Sequence, residues 1–415
     1  MRHMKIAEHF NEKHNLYLFY SIPILFLIGR SVVDIVFTYL GFHFLIDRLI
    51  IKKDYSIIKN KIFLYALYFY LMHIFISFFS TNINISLFKS FTGLRFLIFF
   101  GATVYIIKKN SFNLKIFYKV IYISILFINT DILLQYIFGY DFFGYEPVKN
   151  AVNSYRYSGS FGDEFIAGNY IQTFLLILVT LKISNLNKFY KKYFSEFIIL
   201  YSIIIVLITG DRMAFISVFY SLFFLLIFFK QNRKYLITIS LMIFVTFSSL
   251  IVLDKGISDR VSTIPKQLLV KKNEEFSNPH LNLAKQAIQI FKNNKIFGTG
   301  LKTFRETCSL KENVVILKND INNFCSNHPH NYYFEVLSDT GFLGFISFIL
   351  FIIYLLYSSG FKKLYNNNNK LSFICLLIFL FPLSTTGSFF TNMNACYFWY
   401  LISLINLSLV SERKY

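Results

Sequence analysis

Charge is what this chain has least of. Only 15% of its 415 residues are Asp, Glu, Lys or Arg, whereas soluble domains carry roughly 25%. Apolar residues make up 55%, aromatic residues 20%, and mean hydropathy is +0.52. An ordinary soluble domain does not fit these figures. Nucleotide signatures are missing as well: there is no GxxxxGK[ST], and no GxGxxG between a strand and a helix. The stretches between apolar runs hold no tight Asp/Glu cluster of the kind that binds Mg²⁺. The four cysteines form no CxxC, so they do not read as zinc ligands. No cofactor is therefore expected. A short leading apolar segment with an A-x-A-like site is absent, so a cleaved signal peptide is not expected. No internal repeat is found. The formal net charge is +20, but richness in Phe, Ile, Lys, Asn and Tyr fits an AT-rich genome, which inflates Lys. The excess is weak evidence for an anionic partner, and nucleic acid is not an expected one.

What the chain does have is long, continuous apolar runs, such as LYLFYSIPILFLIG and IFLYALYFYLMHIFISFF. A bilayer span needs roughly 17–25 mainly apolar residues. A barrel would show alternating ten-residue strands instead. The expected fold is an all-α polytopic membrane protein. Helices are placed near 16–29, 31–50, 62–79, 89–107, 116–138, 164–182, 196–210, 213–229, 235–253, 341–357, 372–387 and 396–410. Connections alternate in character. KKDYSIIKNK, KKNSFNLK, KISNLNKFYKKY, KQNRK and GFKKLYNNNNK are basic, as are both termini. STNINIS, 139–162, the turn at Gly210-Asp211-Arg212 and FFTNMNA are poor in Lys and Arg. Because Lys and Arg concentrate on the cytoplasmic side, this predicts twelve spans with both termini inside.

One connection is long. Residues 254–340 lie on the far side, between the ninth and tenth helices, dividing a single membrane domain into 1–253, 254–340 and 341–415. A structureless loop of that length is unusual in a compact fold, so it should be partly helical and functional. Leu281 to Phe291 has apolar residues at 281, 283, 284, 287, 288, 290 and 291, which predicts an amphipathic helix lying on the membrane surface. Cys308 and Cys325 lie in this segment, where an oxidising compartment would permit a disulfide; two free thiols are the alternative. Cys375 and Cys396 read as buried small hydrophobes.

A few polar residues stand where they could do chemistry. Arg212 sits in a tight turn after the seventh helix, and Arg156 precedes the sixth. Charges at membrane depth are costly and default to functional candidates, although Arg212 could pair with Asp211, and Arg156 with Asp163 or Glu164. His330 lies where the long segment returns to the tenth helix. A neutral imidazole, of pKa about 6.5, can take a proton at working pH. His328, just before a proline, reads as structural. Arginines and histidines without a metal cage suit an anionic leaving group neutralised by guanidinium while a histidine takes a proton.

His330-Asn331, nine residues, then Gly341-x-x-Gly344 matches H-[NSQ]-x9-G-x-x-G. It resembles the signature of the O-antigen ligase and polymerase superfamily of bacterial inner-membrane glycosyltransferases. Thr209-Gly210-Asp211-Arg212 resembles that family's turn, usually written with Ser-Arg. Phe297-Gly298-Thr299-Gly300-Leu301 resembles its F-G-x-G-L, and Arg156 to Gly168 a glycine-bearing outer segment of many members. The resemblance spans roughly residues 150–400. It implies that a glycan on undecaprenyl diphosphate is attacked at its anomeric carbon by an acceptor sugar hydroxyl, on the periplasmic face of the inner membrane and without metal. The acceptor is lipid A-core in ligases and a second lipid-linked glycan in polymerases; membrane lipids surround the site. Carried over, His330 is the base and Arg212 the diphosphate clamp. Arg156 is a further substrate contact. Asn331, Glu335, Gly341 and Gly344 support the motif. Where ligases carry a second loop arginine, this chain has His280; either His280 replaces it, or Arg305 or Arg260 reaches in.

Classical polymerases often show Arg-x15-Gly in outer loops, and no arginine here has glycine sixteen positions on. This favours a ligase. A lipid-linked glycan transporter is the rival from another class, but it would show broken midplane helices and inverted repeats, and neither stands out. The alternating loop charge gives a direct test. In a background without native cysteines, Asn278→Cys should label from outside the cell and Asn367→Cys only after permeabilisation; labelling of both from one side would refute the topology.

Overall fold

The computed structural model describes residues 2–108, 112–149, 155–183, 192–253, 258–259, 279–310, 313, 325–361 and 367–407. The described residues are mostly helical, at 79%. In order, the helices are α1 (Arg2–Ile28), α2 (Arg30–Phe44), α3 (Lys61–Ser77), α4 (Ile83–Lys108), α5 (Leu114–Phe138), α6 (Ala167–Ile183), α7 (Lys192–Thr209), α8 (Arg212–Phe228) and α9 (Arg233–Leu253). They continue with α10 (Pro279–Asn293), α11 (Phe304–Cys308), α12 (Tyr332–Leu356), α13 (Asn367–Phe379) and α14 (Asn392–Ser403). The departure from an all-α fold is a two-residue hairpin, β1 (Val148–Lys149) on β2 (Tyr155–Arg156), antiparallel with Val148 opposite Arg156. Helix starts are set by side-chain caps. Asn60, Asn113, Asp211 and Asn331 each accept hydrogen bonds from the first-turn N–H groups of α3, α5, α8 and α12, groups that have no partner within a helix.

Among the described residues, three helices are each long and apolar enough to cross a bilayer: Ile83–Lys108, Leu114–Phe138 and Tyr332–Ser359. Arg212–Phe228 and Lys230–Ser249 would make a fourth if taken as one span, bent by 109°. These helices mark a membrane protein. Shorter apolar helices, including Lys61–Ser77 and Ala167–Ile183, pack among them. Aromatic stacking fills the interfaces, as where Phe37 of α2 lies on Phe99 of α4 with ring centroids 3.7 Å apart.

Several boundaries differ from the sequence expectation. The helix expected at 341–357 begins at Tyr332, because Asn331 caps it there. The helix expected at 372–387 stops at Phe379. Pro382 has no N–H to donate, and the Ser384-Thr385-Thr386-Gly387-Ser388 run after it favours turns. Residues 380–391 therefore form an irregular strap between α13 and α14. The amphipathic helix α10 does turn an apolar face, but inward. Leu283, Ala287 and Ile290 pack with Phe304 and Cys308 of α11, and α10 lies against α12. Protein thus covers the surface that the sequence assigned to lipid. Cys308 and Cys325 are joined by a disulfide, Cα to Cα 5.8 Å, beside this small core.

The kink in α12 explains two glycine motifs at once. Gly341 leaves the helix at φ 60°, ψ −163°. The break strips partners from backbone groups on either side, and residues 295–300 supply new ones. Gly300 N–H donates to Asp339 O at 2.7 Å and Thr299 N–H to Ser338 O at 3.2 Å. Phe342 N–H donates to Lys295 O at 2.8 Å and Leu343 N–H to Ile296 O at 3.3 Å. The contact is backbone on backbone. A Cβ on Gly298 would sit 2.5 Å from Gly341 N, and one on Gly341 would sit 2.4 Å from Gly298 N. The F-G-x-G-L and G-x-x-G motifs are thus two halves of one junction. Gly298→Ala or Gly341→Ala should lower stability by more than about 3 kcal/mol or prevent folding. Gly139→Ala has left-handed φ but nothing within 4 Å, and should cost only about 1–2 kcal/mol. Thermal unfolding of the three variants in detergent checks this ranking.

Candidate active site

A cavity of about 1180 Å³ opens among α2, α6, α8, α12 and the strap. Its lining brings together Arg156, Arg212, His280 and His330, four of the residues singled out in the sequence. It also includes Arg30, Lys89, Lys302 and His328. Among the described lining residues the carboxylates are Glu164 and Asp211, so cationic side chains prevail.

One wall is built around the turn between α7 and α8. Asp211 caps α8 by accepting from Met213 N–H at 3.1 Å and Ala214 N–H at 3.2 Å, which makes Arg212 the first helical residue. Helix α6 fits against this turn because Gly168 has no Cβ; one there would meet Asp211 Cβ at 2.7 Å and Thr209 Oγ1 at 2.9 Å. The segment carrying Arg156 is anchored from α5. Gln135 Oε1 accepts from Ser158 and Gly159 N–H, both at 3.0 Å, and Asp131 Oδ2 accepts from Ser160 N–H at 2.6 Å. Tyr157 N–H reaches Thr209 O at 3.4 Å, tying the Arg156 hairpin to the Arg212 turn. The Arg156 guanidinium stacks over Phe165 at 4.2 Å, and its buried Nε meets no hydrogen-bond partner among the described residues. Burial lowers the Arg156 pKa from its ordinary value, opposed by Asp211 and reinforced by the like charge of Arg212. Burial likewise raises the Asp211 carboxyl, with its two N–H donors and Arg156 opposing. Glu164 does not pair with Arg156; it bonds Arg30 at 2.9 Å.

The same cavity is also lined by histidines. His330 sits in left-handed backbone, φ 55°, immediately before the Asn331 cap. The first turns of α12 set the register of the strap. Asn331 Nδ2 donates to Pro382 O at 2.7 Å and Ser384 O at 3.2 Å, and Thr386 N–H donates to His330 O at 2.8 Å. Glu335 accepts from Ser388 Oγ and from Phe389 N–H at 2.6 Å. His328 and His280 approach His330 with ring centroids at 4.1 Å and 5.4 Å. Burial is the main cause that lowers all three histidine pKa values. For His330 a backbone hydrogen bond to Thr386 opposes it; for His280 the neighbouring His330 adds to it. His328 falls to about 4 through burial, then His330, then Lys302. A neutral imidazole in this setting can accept a proton.

One expected contributor stands elsewhere. Arg305 is exposed on α11, donates to Asn327 Oδ1 at 3.0 Å and does not line the cavity. Arg260 lies outside the described residues. Sequence reasoning missed Arg30, Lys89, Lys302 and the strap, and it took His328 as merely structural. Pro382 inside an expected helix was the available signal for the strap. Nothing local marked Lys302.

Residues 197–349, from α7 to the kinked part of α12, match a family model described as O-antigen ligase (Wzy_C). This match supports the O-antigen ligase and polymerase superfamily for that part of the chain. No curated protein matches it. The matched region holds Arg212, His280, Lys302 and His330, so the histidine wall and the arginine turn both fall inside it. Members are glycosyltransferase-like membrane enzymes that act on lipid-linked glycans. Histidine-selective NMR titration of the protein in nanodiscs should place His330 below 6.5 and His328 near 4. Lys302→Met should raise the His328 value, because a positive neighbour that disfavours protonation has been removed.

Proposed function

We propose that this protein is an O-antigen ligase-like glycosyltransferase that moves a glycan from undecaprenyl diphosphate to a sugar hydroxyl of lipid A-core. The observation that carries this reading is that His330, Arg156 and Arg212 line one cavity. In the reaction the acceptor oxygen attacks the anomeric carbon of the donor. The bond from that carbon to the diphosphate oxygen breaks, its electron pair stays on the diphosphate, and His330 takes the acceptor proton. Arginine suits the leaving group because its planar fork donates two parallel hydrogen bonds to phosphate oxygens. The benefit is largest as charge builds on that oxygen. No metal is assigned a role. Twelve spans, cytoplasmic termini and a periplasmic cavity in the bacterial inner membrane complete the proposal. A polymerase would use the same wall of arginines and the same base with a second lipid-linked glycan as acceptor; the missing Arg-x15-Gly pattern favours the ligase.

The two central residues should fail differently. Arg212→Lys keeps the charge but loses the fork, so turnover should fall roughly 10- to 1000-fold. His330→Ala should leave donor binding in place while transfer falls roughly 100-fold or more. The wild-type rate should be flat above neutrality and decline as pH drops through a value below 6.5, because only neutral imidazole accepts the proton. Purified variants, assayed with defined donor and acceptor and with donor binding measured separately, test this. Near-normal transfer by His330→Ala across roughly pH 6–8 would remove the histidine from the chemistry.

A further inference from the structure

Lys302 is a cavity residue that none of the chemistry above uses, and it is held unusually firmly. Its backbone lies in the left-handed region, φ 65°, which costs a non-glycine residue energy and persists only where surroundings enforce it. Here Asp339 Oδ2 accepts its backbone N–H at 2.9 Å. Its ammonium donates to Ser388 Oγ and stands 4.0 Å from Glu335 Oε1. Glu335 and Asp339 are four residues apart on α12 and almost wholly buried, at 1% and 0% exposure. The Lys302 side chain keeps 18%, and it is the member of this group, with Ser388, that faces the cavity.

A buried pair with no task beyond packing gains little over apolar residues of similar size. A lysine fixed by a helix glutamate is, by contrast, a recognised way to hold an ammonium on a phosphate. Position then selects the phosphate. Lys302 lies on the histidine wall, near enough to His328 for its charge to act there. The leaving oxygen belongs to the phosphate bonded to the attacked carbon, and that carbon must lie close to the acceptor oxygen held by the base. A cation on the histidine side of the cavity is placed for this phosphate, where it shares the diphosphate with the arginines that line the same cavity.

We infer that Lys302, oriented by Glu335 and Ser388, is a second phosphate contact that binds the sugar-side phosphate of a polyprenyl diphosphate. The inference rests on the proposed function and deepens it. It makes the cavity a two-sided clamp whose second side has no use for a lipid bearing a single phosphate.

The test is selectivity between two lipids. Full-length protein in nanodiscs is titrated with undecaprenyl diphosphate and with undecaprenyl monophosphate, alongside Lys302→Met, Lys302→Arg and Glu335→Gln, with thermal unfolding recorded for each. Wild type should prefer the diphosphate. Lys302→Met should lose roughly 10- to 100-fold on the diphosphate and little on the monophosphate. Lys302→Arg should keep most of the preference, and Glu335→Gln should lie between. If Lys302→Met does not fold, Lys302→Gln, which can still donate to Ser388, must show the same selective loss. A Met or Gln variant that keeps the wild-type preference, or weakens on both lipids equally, overturns the inference alone and leaves the functional reading standing. A wild-type protein with no preference for the diphosphate overturns both.

Discussion

The backbone junction between Gly298 and Gly341 is the constraint on which the site depends. A helix that breaks at membrane depth exposes N–H and C=O groups that lipid cannot satisfy. In α12 the break is tolerated because residues 295–300 run against it and take up the freed groups. The close approach needs two glycines face to face. The consequence reaches the chemistry directly. The junction holds the segment leading to Lys302 against α12, which is capped by Asn331 directly after His330. It also reaches the core, since Thr81 N–H donates to Thr299 O at 2.9 Å and Ser86 Oγ accepts from Leu301 N–H at 2.9 Å.

Around that junction the cavity combines two properties that support one another. Its lining is rich in cations: Arg30, Lys89, Arg156, Arg212 and Lys302 against Glu164 and Asp211. Such a lining attracts an anionic ligand, and it does so more strongly where the walls are apolar and water is scarce. The same surroundings disfavour imidazolium: burial lowers all three histidine pKa values, and at His328 the charges of His330 and Lys302 add to it. Positive local charge serves both ends: it attracts the anion and disfavours protonation of the base.

The strap between α13 and α14 illustrates how polar chain is managed in such a setting. Its carbonyls and N–H groups are met by the start of α12, through Asn331, His330 and Glu335. Asn331 does two things at once: its carbonyl oxygen caps α12 and its amide nitrogen holds the strap. That dual use explains an amide beside the histidine, since it needs an acceptor and a donor on one short side chain. At the far end of the strap, Asn392 joins the Asp34–Arg95 pair between α2 and α4, so the strap is fixed at both ends.

The sequence by itself determined what depends on neighbours along the chain. Continuous apolar runs and the spacing of His330 from Gly341 and Gly344 are local patterns, and they sufficed for the helical class, most helix positions, the Arg212 turn and the histidine motif. Tertiary structure decided what depends on partners far apart in the chain. Gly298 reads as one position of an F-G-x-G-L motif until Gly341 is seen against it. Lys302 reads as one lysine among many until Glu335, Asp339 and Ser388 close around it. The apolar stripe of α10 has the same period whether lipid or protein covers it, and only the packing of Phe304 and Cys308 settles which. Residues 156, 212, 302 and 330 meet because segments separated by tens to hundreds of positions satisfy one another's backbone groups, and no local pattern records that pairing.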